Sequence, residues 1–264
     1  MTIPLDGIFN LWNIFLIVLV RISGMFFLSP IFGRRNIPNY FKVGFCFILT
    51  IITANSITVP DISSYTSLAS YVILIGKELL LGLTLGFISY LLFSAIYIAG
   101  QLIDTQIGFG MVNVIDPFTN IQIPITADFY VVLATLFMLV TDSHHLLINA
   151  IVESYTILPP GGADFGGGVV RQLVDMFYHT LVIGFKIAAP VTAAIMITNV
   201  ALGIISKAMP QMNVFILGMP MKIIVGLIII LITIASFKGV VNYILEGTYR
   251  NIYDFLRNAG GVSR

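Results

Sequence analysis

Charge is scarce in this chain. Only 13 of its 264 residues are lysine or arginine and 12 are aspartate or glutamate, so 9% are charged. A soluble domain carries about 25%. That shortfall, with 58% hydrophobic residues and a mean hydropathy of +1.01, excludes an ordinary water-soluble globule and points to a membrane protein. The formal net charge is +1, which offers no electrostatic pull on nucleic acid. Cysteine is nearly absent: Cys46 stands alone, so no disulfide can form within the chain and the thiol says nothing of compartment. There is no GxxxxGK[ST] phosphate loop, no GxSxG elbow and no HExxH helix, so a nucleotidase, a serine hydrolase or a zinc protease has no support. Residues 1–20 lack a basic leader and a small-residue cleavage site. They are expected to stay as a first membrane segment. With no stretch suited to a large soluble domain, function is expected to lie in the membrane part.

What the chain has is apolar length. A bilayer span needs about 20 mostly apolar residues. Segments 8–29, interrupted by Arg21, and 41–59 fit that length. Segment 68–103 is too long for one straight span, at about 54 Å as continuous helix, and Lys77-Glu78 interrupts it. Segments 125–140 and 146–158 are short and separated by TDSHH; 173–206 is over-long and holds Pro190; 219–237 is clean. These lengths predict an all-α, multi-pass membrane protein of kinked helical hairpins with about six spans. The basic residues Arg34, Arg35 and Lys42, and the tail with Lys238, Arg250, Arg257 and Arg264, are expected on the cytoplasmic side. The loops carrying Asp61 and Asp164 are expected outside.

Several charges fall within or beside apolar segments: Arg21, Lys77, Glu78, Glu153, Lys186 and Lys222. A charge at a membrane centre costs about 2.5–3.5 kcal/mol on insertion scales. One reading is a proton or ion pathway. The other is subunit pairing or snorkelling at helix ends, and subunit contacts are the expectation for Arg21, Lys77, Glu78, Lys186 and Lys222. Lys77 and Glu78 are adjacent, about 100° apart on a helix, so each is expected to find a different partner. Gly82 and Gly86 form a GxxxG spacing, with Gly76 before them, which suits close helix approach and is expected to serve subunit packing. His144 and His145 follow Asp142, and neighbouring histidines do not converge on a metal as an i, i+4 pair does. DSHH therefore reads as a polar turn, and neither a metal nor a cofactor is expected.

Segment 101–124, QLIDTQIGFGMVNVIDPFTNIQIP, is the least ordinary. It lies between two apolar segments yet is too apolar for a solvated loop. Ile107, Phe109, Met111, Val112, Val114 and Ile115 are spread along it, with Gly108 and Gly110 flanking Phe109, Asn113 in the middle and Asp116-Pro117 forcing an extended or turn backbone. Such a loop is unsatisfied in lipid. It suits burial in protein or a channel that it blocks.

The order of four stretches resembles the FliR family of flagellar and virulence type III export proteins. They are RISGMFFLSPIFGRRNIP (21–38), GKELLLGLTLGF (76–87), GFGMVNVIDP (108–117) and PQMNVFILGMPMK (210–222), and their spacing covers nearly the whole chain. The resemblance implies a FliP-like unit, about residues 1–168, followed by a FliQ-like helical hairpin, about 169–264, in a single integral membrane domain. It implies assembly with FliP-like and FliQ-like subunits, and contact with FlhB-like and FlhA-like export components, lipid and unfolded protein substrates. It places the chain in the bacterial cytoplasmic (inner) membrane at the flagellar basal body. The family's apolar plug maps onto residues 107–117. The expected function is a non-enzymatic subunit of the flagellar export gate, with the virulence branch as the alternative. A stand-alone transporter or channel using the buried charges is the rival.

Overall fold

The structure is a computed structural model and describes residues 5–34, 37–57, 67–109, 124–211 and 213–261. These residues form seven helices and no strand: α1 (Leu5–Leu28), α2 (Asn39–Ser56), α3 (Leu68–Ile107), α4 (Ile125–Val140), α5 (Ser143–Ile157), α6 (Gly167–Ala208) and α7 (Val214–Ala259). Four of them, α1, α3, α6 and α7, are long and apolar enough to cross a membrane. Helices α4 and α5, bent by 72° at their junction, make a fifth crossing if taken as one. The chain is a multi-pass helical membrane protein, with four or five helical crossings among the described residues in place of the six expected. The difference has two sources. Helix α2 carries Asn39, Lys42 and Asn55 along its 18 residues, and the two short helices form one bent pair.

Three helices run further than the sequence suggested. Helix α3 passes Lys77-Glu78 without a break over 40 residues, and α6 passes Pro190 over 42. A proline inside an apolar helix forfeits one backbone hydrogen bond, which neighbouring structure can absorb. Helix α7 continues beyond Phe237 to Ala259. Its mixed end is amphipathic: Val241, Ile244, Leu245, Thr248, Ile252, Phe255, Leu256 and Ala259 are buried at helical spacing.

The chain divides into two compact units. The first comprises Met1–Leu91, Asp142–Met176 and Glu246–Arg264; the second comprises Leu92–Thr141 and Phe177–Leu245. In the first unit α1 lies on α2 through aromatic rings. Phe15 meets Phe47 edge-on at 5.0 Å, and Phe32 stacks between Phe26 (4.5 Å) and Phe45 (5.7 Å). Helix α1 lies on α3 through backbone. A Cβ on Gly82 would collide with the Arg21 carbonyl, and one on Gly86 would come within 2.6 Å of the Met25 carbonyl. The GxxxG spacing expected to serve subunit packing thus serves close approach within the chain. In the second unit, α4 meets α7 through Tyr130 and Phe237 at 5.0 Å. There too, α3 meets α6 where a Cβ on Gly184 would lie 3.1 Å from the Ala95 carbonyl.

Candidate functional site

The close approach of α1 and α3 brings together two charges 57 residues apart. Arg21 and Glu78 are both 0% exposed, and the arginine Nε donates to Glu78 Oε2 at 2.6 Å. Sequence placed each at a subunit contact; here each finds its partner inside the chain, and Lys77 is not that partner. The rest of the guanidinium is occupied as well. Nη1 donates to Ser154 Oγ and to the Leu158 carbonyl, and Nη2 to the same carbonyl, each at 3.1 Å. The guanidinium carbon lies 4.0 Å from the Tyr155 ring centroid, in cation–π range. Tyr155 donates its hydroxyl to the Val18 carbonyl at 3.2 Å, tying α5 back to α1.

Leu158 is the C-cap residue of α5, and Pro159-Pro160 follow it. A helix end leaves carbonyls without intrahelical partners and carries partial negative charge. Arg21 supplies both the donors and the cation. Glu78 then neutralises the arginine and fixes the turn beyond it, since Oε1 accepts the Gly161 N–H at 2.9 Å. Gly161 has φ of 82°, a left-handed backbone that glycine adopts without strain. The result is a closed charge centre holding α1, α3, the end of α5 and the PPGG turn. Both carboxylate oxygens are engaged and no atom of the pair is open to solvent. The centre binds protein to protein and presents nothing to a substrate.

The second unit has a different arrangement at the base of the apolar loop. Helix α3 ends at Ile107, which is fully buried and fills the space that a side chain at Gly226 of α7 would need. Gly108 follows with φ of 99°, and a side chain there would meet nothing within 4 Å. Phe109 is half-buried. The remaining residues expected to form the plug, Gly110, Met111, Val112, Asn113, Val114, Ile115, Asp116 and Pro117, lie outside the described residues. Beyond them α4 starts behind Pro124, a cap residue with no side-chain acceptor. Asp104, 6% exposed, takes over that role from one turn before the end of α3. Its Oδ1 and Oδ2 accept the Thr126 N–H at 3.0 and 3.1 Å, and Oδ2 also accepts the Ala127 N–H at 3.4 Å. Gly100 abuts the Ala127 backbone closely enough to exclude any side chain.

The other expected contact residues stand apart from both arrangements. Lys186 is exposed, and Lys77 and Lys222 are half-buried. Glu153 is exposed and accepts a hydrogen bond from Tyr253 of α7, which in turn meets Tyr249 at 2.7 Å. Sequence reasoning passed over Ser154, Tyr155, the Leu158 carbonyl, the Gly161 N–H and the capping role of Asp104. Pro159-Pro160 after α5 and Pro124 before α4 supply no side-chain capping group of their own, and that is the one local signal that these ends take partners from elsewhere.

The family described as bacterial export proteins, family 1, matches residues 12–248. The flagellar biosynthetic protein FliR of Bacillus subtilis (strain 168) is 36% identical over 259 residues, covering 97% of this chain and 99% of that protein. Its namesake in Escherichia coli (strain K12) is 27% identical over 215 residues, covering 81% of this chain and 82% of its own. The Yop proteins translocation protein T of Yersinia pestis is 32% identical over 164 residues, 61% of this chain and 62% of that one. The match runs from α1 into the amphipathic end of α7 and takes in both the charge centre and the base of the loop. By that match the chain belongs to the bacterial export proteins, family 1.

Proposed function

We propose that this chain is a non-enzymatic subunit of the flagellar type III protein export gate, forming part of the channel through which unfolded export substrates pass. The observation that carries this reading is the end-to-end likeness to a flagellar biosynthetic protein, 97% of this chain against 99% of the relative. The chain then works in the bacterial cytoplasmic membrane at the flagellar basal body. Its partners are FliP-like and FliQ-like subunits, with FlhB-like and FlhA-like components beside them, and energy comes from other members of the apparatus. Residues 1–168 form the FliP-like portion and 169–264 the FliQ-like portion of one membrane domain. The outer surfaces support a need for partners. The apolar window of α3 is 61% buried within the chain, against 28% for α6 and 17% for α7. Ile197, Val200 and Ile204 on α6, and Ile216, Leu231 and Ile232 on α7, are left for lipid or for neighbouring helices.

In this reading Lys77, Lys186 and Lys222 remain available for subunit contacts, while Arg21 and Glu78 act on assembly through the fold. The closed state of the Arg21–Glu78 pair argues against a stand-alone ion transporter, which needs a titrating acid open to a pathway. A virulence secretion subunit is the second reading, favoured by the Yersinia relative over 61% of the chain. Co-expression with FliP-like and FliQ-like partners tests the assignment. The expected result is a monodisperse complex from partners and chain together, and loss of flagella when the frame is deleted. A chain that purifies alone as a stable, transport-competent unit overturns it.

Residues 107–117 are the proposed plug. The resemblance supports this, as do their apolar content and the left-handed backbone at Gly108 directly after α3. Burial of one large apolar side chain contributes about 1.5–3 kcal/mol, so a few hold a closed channel without locking it. Deleting residues 108–113 is expected to leave the complex assembled and the membrane leaky to small ions, read as conductance or growth sensitivity. A deletion that assembles, exports and stays tight removes the plug reading. One that fails to assemble makes the loop a structural linker.

A further inference from the structure

We propose that the turn opening α5 binds a first-row divalent metal ion, zinc being the first candidate, through Asp142, His144 and His145. Their ligand atoms, one carboxylate oxygen and one ring nitrogen from each histidine, all lie within 4.8 Å of one another. Bonds of about 2.0–2.1 Å in a tetrahedral site put ligand atoms about 3.3 Å apart. Small side-chain rotations close the difference. Two imidazoles and a carboxylate suit zinc, nickel, cobalt or copper over the hard cations magnesium and calcium.

Sequence gave no reason to expect this, because adjacent helix positions diverge by about 100°. The turn supplies the convergence. Asp142 is the N-cap residue of α5 and adopts φ of 52° and ψ of 18°, a left-handed backbone uncommon outside glycine. Aspartate at an N-cap normally accepts a hydrogen bond from the first turn of its own helix. Here its side chain makes no such bond. The two imidazole rings sit 4.3 Å apart at 72°. His144 Nδ1 is a second, independent sign: it is buried with no hydrogen-bond partner. The helix dipole opposes a cation at this end, and the Asp142 carboxylate supplies the compensating charge. Asp142 and His145 are exposed, so the remaining coordination positions are open to water or to a side chain of a neighbouring molecule. The inference stands apart from the export reading and does not depend on it.

The test uses the full chain, or its purified complex, in detergent and without a polyhistidine tag. After stripping with chelator, Zn²⁺ is titrated against a chromophoric competitor, and Cu²⁺ is used as a spin probe. The expected result is one equivalent of Zn²⁺ per chain and nitrogen hyperfine structure from two imidazoles on Cu²⁺. His144→Ala and His145→Ala are each expected to weaken binding at least tenfold, and His179→Ala to leave it unchanged. Asp142→Gly guards against a folding artefact. Glycine accepts the left-handed backbone, so this variant is expected to keep the thermal midpoint of the parent while losing affinity severalfold. Absence of stoichiometric uptake by the parent overturns the proposal. So does uptake that survives the paired His144→Ala and His145→Ala changes, or that is lost with His179→Ala.

Discussion

Two helix ends in this chain are closed by charge carried in from another segment, and by opposite means. At the C-terminal end of α5, Arg21 caps the Leu158 carbonyl and is itself neutralised by Glu78. At the N-terminal end of α4, Asp104 caps the Thr126 and Ala127 N–H groups, contacts made to backbone alone. The sign of each charge suits the helix end it meets. The number of dependants differs. Arg21 and Glu78 join α1, α3, α5 and a turn, so losing one charge leaves the other buried and unsatisfied. Loss of Asp104 exposes only the first N–H groups of one helix. The first arrangement behaves as an all-or-none lock, the second as a cap whose strength can be varied.

The largest effect is therefore expected at Glu78. Glu78→Ala leaves a guanidinium buried without its counter-ion and frees the Gly161 N–H, which should cost about 3–5 kcal/mol. The thermal midpoint of the detergent-solubilised complex, or its yield, reports this. Pairing Glu78→Leu with Arg21→Met removes both charges at similar volume and should restore much of the loss, because a buried ion pair is often replaceable by apolar packing. A Glu78→Ala variant as stable as the parent shows water reaching the site, and the contrast with Asp104 then collapses.

The lock also depends on how closely its two helices approach. Gly82→Ala drives a methyl group into the Arg21 backbone and must push α1 from α3 at the level of the ion pair. An overpacking cost of about 1–3 kcal/mol is expected, read by the same thermal midpoint. Gly76→Ala, six residues earlier on α3, meets nothing within 4 Å. It should be neutral or stabilising by up to about 1 kcal/mol, as glycine is a poor helix former. Equal effects at the two glycines would show that the contact between α1 and α3 relaxes freely.

The fold was legible where it depends on apolar length. The apolar segments, the bent pair around TDSHH and the clean span at 219–237 all follow from hydropathy. Less legible was continuity, because Lys77-Glu78 looks like a break until α1 supplies a counter-ion to Glu78, and Pro190 looks like one although α6 runs through it. The end of α7 beyond Phe237 was missed because polar residues there hide a buried stripe that includes Val241, Ile244, Ile252, Phe255, Leu256 and Ala259. Arg21 and Glu78 were found as residues but not as a pair, and Lys77, Lys186 and Lys222, picked out with them as buried charges, are half-buried or exposed. A separation of 57 residues between Arg21 and Glu78 has no local period, and Asp104 reaches Thr126 across the very loop that drew attention. The GxxxG spacing announced a close approach without naming its partner, which is α1 of the same chain.

The smallest effect, and the sharpest test of the comparison, is expected at Asp104. Asp104→Ala removes a cap of N–H groups and should cost about 0.5–2 kcal/mol. Asp104→Asn keeps one acceptor oxygen and loses the charge, so its cost should be smaller, nearer the 0.3–1 kcal/mol of a charge at a helix terminus. Both lie below the expected loss at Glu78, because no opposite charge is stranded. Stability and leakage should also separate here. The two segments that Asp104 joins, the end of α3 and the start of α4, flank the connection that contains the proposed plug. A cap that only finishes a helix lowers the thermal midpoint by a degree or few and leaves the membrane tight. A cap that also holds the base of the loop makes the Ala variant leaky while the complex stays assembled, with Asn between Ala and the parent. If Asp104→Ala instead unfolds the chain as thoroughly as Glu78→Ala, the two ends are locks of one kind and the distinction drawn between them is lost.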